Sequence, residues 1–397
     1  MLTTAGNHPG QTLRICLFSA LYKPSMGGVE TYTESLARAL CEMGAEVTVA
    51  TCNTHNLAAR ERDKGVNIVR FPCKPLLSGR FPLVKNDAEA KRLWTYLEEE
   101  GFDYVIANTR FYTLTERALD FAARMGVVPL LIEHGSAHLT MGSALLDPIV
   151  QAVEHAFTKR DLRYPFAAYA VSKKASAWLG HFGIESAGEL PNSIDADAYA
   201  AQASARDFRA ELGIPADALM VAFAGRLVPE KGGVELAQAT AAIAERPGED
   251  GRAVHLAIAG AGPKQGDIER IGCGTVHLVG RLERQDLAAL LSQADVMALP
   301  SRSEGFATTL LEAAACATPA IVTPVGGTDE LVSDERFGTI IPDARTETVE
   351  NALREAARNP QKLAEQGKQV ARRVRAEYSW HRTAERALAA CREANKK

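Results

Sequence analysis

Short apolar runs alternate with amphipathic stretches along almost the whole chain. The runs LRICLFSA (13–20), EVTVAT (46–51) and VNIVRF (66–71) have the length and the apolar content of buried strands. The stretch 29–43 instead repeats its apolar residues at helical spacing. Strand, helix and strand in this order form a βαβ unit, and the repetition of the pattern predicts an α/β fold.

The same alternation continues through the rest of the sequence. The further predicted strands are 104–108, 127–135, 167–172, 218–227, 253–263, 276–282, 294–301 and the beginning of 319–332. The further predicted helices include 234–244, 285–293, 346–358 and 361–376, and a last one with Trp380, Ala384, Ala387, Leu388 and Cys391 on one face. The segment 189–199 is rich in Pro, Asn and Asp, which is typical of a linker between two domains.

The segment 72–87 departs from this pattern. It holds three prolines and interleaves apolar residues with Lys74, Arg80 and Lys85, without a clear period. It is predicted to be a loop. Such a loop either packs on its own domain or touches a membrane surface or an acceptor.

The stretch EGFATTLLEAAACATP (304–319) is the strongest candidate for a binding site. Glu304 follows a predicted strand, Gly305 marks the turn, Thr308 is a candidate N-cap, and Glu312 lies about one turn into the helix. Ligands of open α/β sheets bind at this edge, with anions at the helix N-terminus. Carboxylates there suit the hydroxyls of a sugar or ribose. The alternative is that Glu312 only favours the helix dipole.

Other candidate site residues lie where predicted strands end or predicted helices begin. Arg226 and Lys231 straddle a strand-to-helix turn, where they either converge on one anion or remain solvated charges. His134 ends a predicted strand and is either a site residue or a structural histidine. Gly27 and Gly28 precede the first helix, where they permit close approach to a ligand or form a plain turn.

Composition narrows the class of protein. The 397 residues carry 45 basic and 49 acidic side chains, a formal net charge of −4, which argues against general nucleic-acid binding. The seven cysteines form no C-x-x-C pair, which argues against zinc ribbons and redox pairs. The start, MLTTAGNHPGQT, does not have the pattern of a secretory signal, and no apolar run is long enough to span a bilayer. A cytoplasmic protein is expected, with peripheral contact at the inner face of the membrane left open.

Five motifs together resemble one enzyme family. GGVETYTESLARAL, LPNSID, GRLVPEKGG, ADVMALPSRSEGFATTLLEA and VGGTDELV occur in the order and spacing of the family-4 retaining glycosyltransferases. The resemblance implies the GT-B fold, with two Rossmann-like domains facing across a cleft and a last helix crossing back to the first domain. The expected bounds are 1–190 for an acceptor domain, 191–376 for a donor domain and 377–397 for that helix.

The resemblance also implies roles for residues at matching positions. The implied catalytic residues are His134, Arg226, Lys231 and Glu304. The implied donor contacts are Gly27, Gly28, Arg226, Lys231, Arg281, Leu282, Glu304, Gly305, Phe306, Ala307, Thr308, Thr309 and Glu312. Within this set Arg226 and Lys231 hold the diphosphate and Glu312 the ribose hydroxyls, while Arg281 and Leu282 flank the base. Ala307, Ser193 and Ala317 stand where glycine is commoner in the family.

The implied activity is transfer of a sugar from a UDP- or GDP-sugar to a hydroxyl, on a glycan or lipid-linked glycan of the cell envelope. No cofactor is expected, and no D-x-D pair suggests an obligatory metal. The segment 72–87 is the candidate membrane contact, and no nucleic-acid partner is expected. Two alternatives stay open: a nucleotide-sugar binding protein without catalysis, and an epimerase or phosphorylase on the same scaffold.

Overall fold

A computed structural model describes residues 12–25, 27–77, 79–138, 147–247 and 252–396. The chain divides into two compact units, Met1–Asn192 with Trp380–Lys397, and Ser193–Ser379. The predicted boundaries lie at 190–191 and 376–377, close to these joins. Residues 1–11 of the polar start lie outside the described residues.

Strands and helices alternate in both units. The strands are β1 (Arg14–Ser19), β2 (Glu46–Cys52), β3 (Arg60–Asp63), β4 (Val66–Phe71), β5 (Cys73–Leu76), β6 (Phe81–Val84), β7 (Tyr104–Asn108), β8 (Leu130–Glu133), β9 (Ala167–Ala170), β10 (Ser186–Glu189), β11 (Leu219–Ala224), β12 (Val254–Ala259), β13 (Val276–Gly280), β14 (Val296–Leu299), β15 (Ala320–Val322) and β16 (Gly338–Ile340). The helices are α1 (Gly28–Glu42), α2 (Ala88–Glu100), α3 (Thr113–Met125), α4 (Asp147–Asp161), α5 (Lys173–Gly180), α6 (Ala196–Ala201), α7 (Phe208–Glu211), α8 (Gly233–Glu245), α9 (Gln265–Glu269), α10 (Arg284–Gln293), α11 (Thr308–Ala315), α12 (Thr328–Leu331), α13 (Thr346–Arg358), α14 (Pro360–Glu377) and α15 (Trp380–Ala394).

The first unit is built on an eight-stranded sheet in the order β10-β9-β8-β7-β1-β2-β4-β3. Only β3 runs antiparallel among the described strands of this sheet. The order reverses where β1 lies between β7 and β2, and Ser19 at the end of β1 pairs with Asn108 at the end of β7. In open α/β sheets a ligand crevice forms at such a switch point, outside the carboxyl ends of the strands.

The prediction of a loop at 72–87 was wrong. β5 and β6 form an antiparallel hairpin of their own, with Pro75 opposite Pro82. Proline is tolerated there because a two-stranded ribbon leaves one edge of each strand without ladder hydrogen bonds. Because proline is otherwise uncommon in strands, the prolines also conceal the strand pattern in the sequence.

The last helix belongs to the first unit, as the resemblance implied. The rings of Tyr32 in α1 and Trp380 in α15 make a T-shaped contact at a centroid distance of 5.2 Å. Ala384, Ala387 and Cys391 on the predicted face are buried. This packing of α15 against α1 fills the apolar stripe that α1 presents.

The second unit holds six parallel strands in the order β13-β12-β11-β14-β15-β16. All residues of β11 and β14 are buried, which explains why both strands are continuous apolar runs in the sequence. The strand order reverses between these two neighbouring strands. The loops that follow Ala224 and Leu299 therefore begin at the same edge of the sheet. The predicted fold class, α/β with parallel sheets in two Rossmann-like units, is confirmed.

Candidate active site

A cavity of about 330 Å³ lies at the carboxyl edge of the second sheet. Its lining includes Arg226 after β11, Arg281 and Leu282 after β13, and Thr309 in the first turn of α11. Four of the residues predicted to contact the donor thus share one depression. Two arginines beside a helix N-terminus favour a ligand that carries negative charge.

Close backbone packing shapes the floor of this cavity. Gly260 has φ +149, and a Cβ there would lie 1.9 Å from the carbonyl oxygen of Gly225. Only glycine therefore allows the turns after β11 and β12 to touch.

Lys231 and Glu304 form an ion pair from opposite sides of the switch point. Lys231 Nζ donates to Glu304 Oε1 at 2.5 Å, and Ser301 Oγ donates to the same oxygen at 2.8 Å. Gly232, with φ +69, makes the pairing possible, because a Cβ there would lie 2.1 Å from the carbonyl oxygen of Pro300. The side chain of Glu304 is 8% exposed and that of Lys231 is 19% exposed. The two predicted site residues therefore meet, with the lysine still accessible to a ligand.

A second glycine pair supports the loop that carries Glu304. The N–H of Gly327 donates to the carbonyl of Gly305 at 3.1 Å. A Cβ on Gly326 would lie 2.5 Å from the carbonyl oxygen of Glu304, and one on Gly327 would lie 2.2 Å from the Phe306 ring. The pair in VGGTDELV thus fixes the position of the predicted sugar-contact loop, a role that the sequence did not indicate.

The prediction of Thr308 as the N-cap of α11 was wrong. Ala307 occupies the N-cap with φ −72 and ψ 103, and no side chain caps the helix. Thr308 is the first helical residue because the extended backbone ends one residue earlier. The first N–H groups of an uncapped helix are suited to bind a phosphate.

Glu312 lies on α11 beside Arg284 and Tyr199, and α11 has no acidic residue in its first turn. The helix-dipole interpretation is therefore not supported. Burial raises the pKa of the Glu312 carboxyl to about 7, with Arg284 opposing the shift. Burial, and then Glu312 itself, raise the pKa of Tyr199. Hydrogen bonds donated by ligand hydroxyls would favour the ionised form of this carboxyl.

His134 lies in a separate cavity of the first unit. This cavity, of about 240 Å³, opens at the carboxyl ends of β1, β7 and β8, and Val29 and Glu30 in the first turn of α1 border it. Gly27 is the N-cap of α1, and a Cβ on Gly28 would meet no described atom within 4 Å. The helix start is therefore open at Gly28, whereas a Cβ on Gly27 would lie 2.4 Å from Glu30 Oε2.

A chain of hydrogen bonds fixes the proton on His134. Thr33 Oγ1 donates to the carbonyl of Val29 at 2.7 Å and so accepts from Asn108 Nδ2 at 3.2 Å. Asn108 Oδ1 then faces His134 Nε2 at 2.9 Å, which makes Nε2 the donor. Burial lowers the pKa of His134 to about 3, so the ring is neutral and Nδ1 is an acceptor. A neutral acceptor nitrogen suits a sugar hydroxyl.

Sequence analysis missed three charged residues of the first cavity. Arg110 is 1% exposed and pairs with Glu133 at 3.0 Å and with Glu154 at 2.7 Å. Glu133 Oε1 also accepts from the N–H groups of His134 and Gly135, at 3.0 and 2.7 Å. Two features of the sequence could have revealed these residues: an acidic residue at the end of the apolar run LLIE and an arginine just beyond β7. This network holds the turn that carries His134.

Comparison with known proteins identifies the family. The model of "Glycosyl transferases group 1" matches residues 204–374, and the model of "Glycosyltransferase Family 4" matches residues 26–198. A D-inositol 3-phosphate glycosyltransferase of Saccharomonospora viridis is 38% identical over 198 residues, which span 47% of this chain and 45% of that relative. A GDP-mannose-dependent monoacylated alpha-(1-6)-phosphatidylinositol monomannoside mannosyltransferase of Corynebacterium glutamicum is 25% identical, over 92% of this chain and 94% of its own.

A solved structure shows the same fold. The sucrose-phosphate synthase of Thermosynechococcus elongatus superposes with a TM-score of 0.72 at 23% identity, covering 96% of this chain and 98% of its own. The two family models together span both units of the chain. The chain belongs to the family-4, group 1 glycosyltransferases and is a transferase of the GT-B fold.

Proposed function

We propose that the chain transfers a sugar from a UDP- or GDP-sugar to a hydroxyl of a glycan or lipid-linked glycan, with retention of the anomeric configuration. The observation that carries the proposal is the meeting of cations and acids at the switch point of the second sheet. Arg226 lines the cavity there, and Lys231 pairs with Glu304 across the same edge. This combination suits a ligand with a diphosphate at one place and hydroxyls at another.

The proposed chemistry follows from where charge develops. Breaking the bond between sugar and diphosphate leaves negative charge on the departing oxygen. Arg226, Lys231 and the N-terminus of α11 would stabilise that charge. We assign no carboxylate as a covalent nucleophile, and we propose attack of the acceptor on the same face from which the diphosphate leaves. The two cations take the part that a metal plays in other transferases, so no metal is required.

The relatives support the choice of donor and acceptor. The name of the Corynebacterium glutamicum enzyme specifies GDP-mannose as donor and a phosphatidylinositol mannoside as acceptor. Both are consistent with a nucleotide-linked sugar in the second unit and a lipid-linked acceptor.

A thermal-shift panel of UDP-, GDP- and ADP-sugars tests the proposal. One class should raise the melting temperature, because a ligand that binds only the folded chain stabilises it. The same donor should then yield a glycosylated acceptor whose anomeric configuration, read by NMR, matches that of the donor.

No shift with any donor would contradict the proposal. Donor binding without transfer to a broad panel of acceptors would favour a binding protein, turnover without acceptor an epimerase, and dependence on inorganic phosphate a phosphorylase.

We also propose that the hairpin of β5 and β6 touches a membrane surface. Leu76 and Leu77 are 44% and 55% exposed, and Lys74 and Arg80 beside them are exposed as well. Exposed apolar side chains flanked by cations suit the interface of an anionic bilayer. None of the described helices is both long and apolar enough to cross a membrane.

Replacing Leu76 and Leu77 together with serine should weaken binding to anionic vesicles by about ten-fold, because two partly buried apolar side chains are lost from the interface. Co-sedimentation with vesicles that contain phosphatidylinositol measures the effect. Ile340→Ser is the matched control, since Ile340 is 40% exposed and lies in the second unit. Equal binding of the double variant and the control would contradict contact through the hairpin.

A further inference from the structure

We infer that the first unit carries a site for a divalent transition-metal ion, formed by His138, His155 and His181. One ring nitrogen from each histidine lies within 4.8 Å of the others. His138 is partly buried, whereas His155 and His181 are exposed, so an ion can reach the cluster from solvent. Three imidazoles form a ligand set that suits Zn²⁺, Ni²⁺ or Cu²⁺ rather than Mg²⁺ or Ca²⁺.

The fold brings these histidines together from three separate segments. His138 follows β8, His155 lies on α4, and His181 directly follows α5. Their spacing along the sequence matches no metal-binding motif, so sequence analysis predicted no metal ligands. The cluster exists only because the tertiary structure joins the three segments.

A carboxylate behind His138 prepares that ring for a metal. His138 Nδ1 lies 2.8 Å from Glu154 Oε2. Because a carboxylate only accepts, Nδ1 carries the proton and Nε2 keeps its lone pair for a ligand. Arg110 holds the other oxygen of Glu154 at 2.7 Å. A histidine that donates its second ring nitrogen to a fixed carboxylate is the usual arrangement around protein-bound zinc.

Aromatic neighbours orient the other two rings. The ring of His181 stacks on Trp178 with a centroid distance of 4.8 Å and an interplanar angle of 3°. The ring of His155 contacts Phe182 at 4.8 Å. Nitrogens bound to one tetrahedral zinc ion lie about 3.4 Å apart. The three ligand nitrogens lie within 4.8 Å of one another, so binding of one ion would draw them closer together.

The bound ion would join three segments around the first cavity. Glu154 lines that cavity and also contacts Arg110 and His138. An ion on His138 would therefore strengthen the position of Glu154 and of the cavity wall. The site is separate from the cations and acids of the second sheet and does not depend on the proposed sugar transfer.

Titration of the tag-free full chain with Zn²⁺ by calorimetry, after removal of bound metal with EDTA, tests the inference. We expect one bound ion per chain. When Co²⁺ replaces Zn²⁺, we expect absorption bands in the visible range that are typical of Co²⁺ in a site of low symmetry. Loss of one supporting partner behind a metal ligand costs about 10–100-fold in affinity. The double variant His155→Gln, His181→Gln should therefore bind more than about 100-fold more weakly.

A second histidine pair provides the matched control. His255 Nδ1 lies 3.2 Å from His277 Nε2 in the second unit. The variant His255→Gln, His277→Gln should bind Zn²⁺ as tightly as the wild type. Melting curves in EDTA should show that both variants are folded, because His155 and His181 are exposed and His255 and His277 are only partly buried. Unchanged affinity in the His155 and His181 variant, or no saturable binding by the wild type, would overturn the inference.

Discussion

Replacing Arg226 or Lys231 with alanine should lower kcat by about 10²–10³-fold, because each cation is proposed to stabilise charge on the departing diphosphate. The effect should fall on kcat more than on KM, since that charge is largest in the transition state. Initial rates at saturating donor and acceptor measure it.

The two variants should differ in stability. Arg226 lines an open cavity, whereas Lys231 neutralises a Glu304 side chain that is 8% exposed. Lys231→Ala removes the cation that pairs with that acid and should lower the melting temperature, while Arg226→Ala should not. Adding Glu304→Gln to Lys231→Ala should restore stability but not turnover.

Arg302→Ala is the matched control for these variants. Arg302 lies on the same loop as Glu304 but is exposed and pairs with Glu235. Its removal should leave turnover near that of the wild type. Wild-type turnover in both Arg226→Ala and Lys231→Ala would reject the assignment of the diphosphate site.

Replacing Glu312 with glutamine should stabilise the chain above neutral pH and weaken donor binding at the same time. Burial raises the carboxyl pKa from 4.5 to about 7 in the folded chain. The unfolded chain therefore loses this proton first, and stability falls as pH rises from about 4.5 to about 7. The loss is at most about 3 kcal/mol, and glutamine avoids it. Donor affinity should fall because an amide is a weaker acceptor for ribose hydroxyls.

Melting temperatures across this pH range, with and without nucleoside diphosphate, measure both effects. The stability difference between variant and wild type should be small near pH 5 and grow towards pH 8. Glu245→Gln, at the exposed end of α8, is the control and should change neither quantity. A stability difference that does not vary with pH would contradict the burial of an ionisable Glu312.

Buried strands were the easiest elements to predict. Val66–Phe71 and Tyr104–Asn108 were predicted to the residue, because a continuous apolar run ends where the strand leaves the core. β3 was missed, since RERD is a mostly exposed edge strand without an apolar pattern. The hairpin of β5 and β6 was missed because its prolines suppress the strand signal.

The site was predictable where chemistry follows directly from local sequence. Arg226, Arg281, Leu282 and Thr309 meet in one cavity because each follows a strand or begins a helix at the same sheet edge. The network of Arg110 depends on partners far apart in the chain, so no local pattern reveals it. The same reason conceals the histidine cluster.

One residue that departs from the family pattern adopts a backbone conformation that favours glycine. Ala317, where glycine is commoner, has φ +60, a conformation that L-residues adopt at a cost of about 1–2 kcal/mol. The chain is tightly packed there, since a Cβ on Gly367 would lie 2.1 Å from the Ala317 carbonyl oxygen. The turn after α11 is therefore maintained although its residue is not the favoured one.

The most direct test of the account is a crystal structure of the chain with the nucleotide-sugar that gives the largest thermal shift. The diphosphate should lie within hydrogen-bonding distance of Arg226 and Lys231, and the ribose hydroxyls should bind Glu312. A donor bound elsewhere on the chain, with these three side chains untouched, would contradict it.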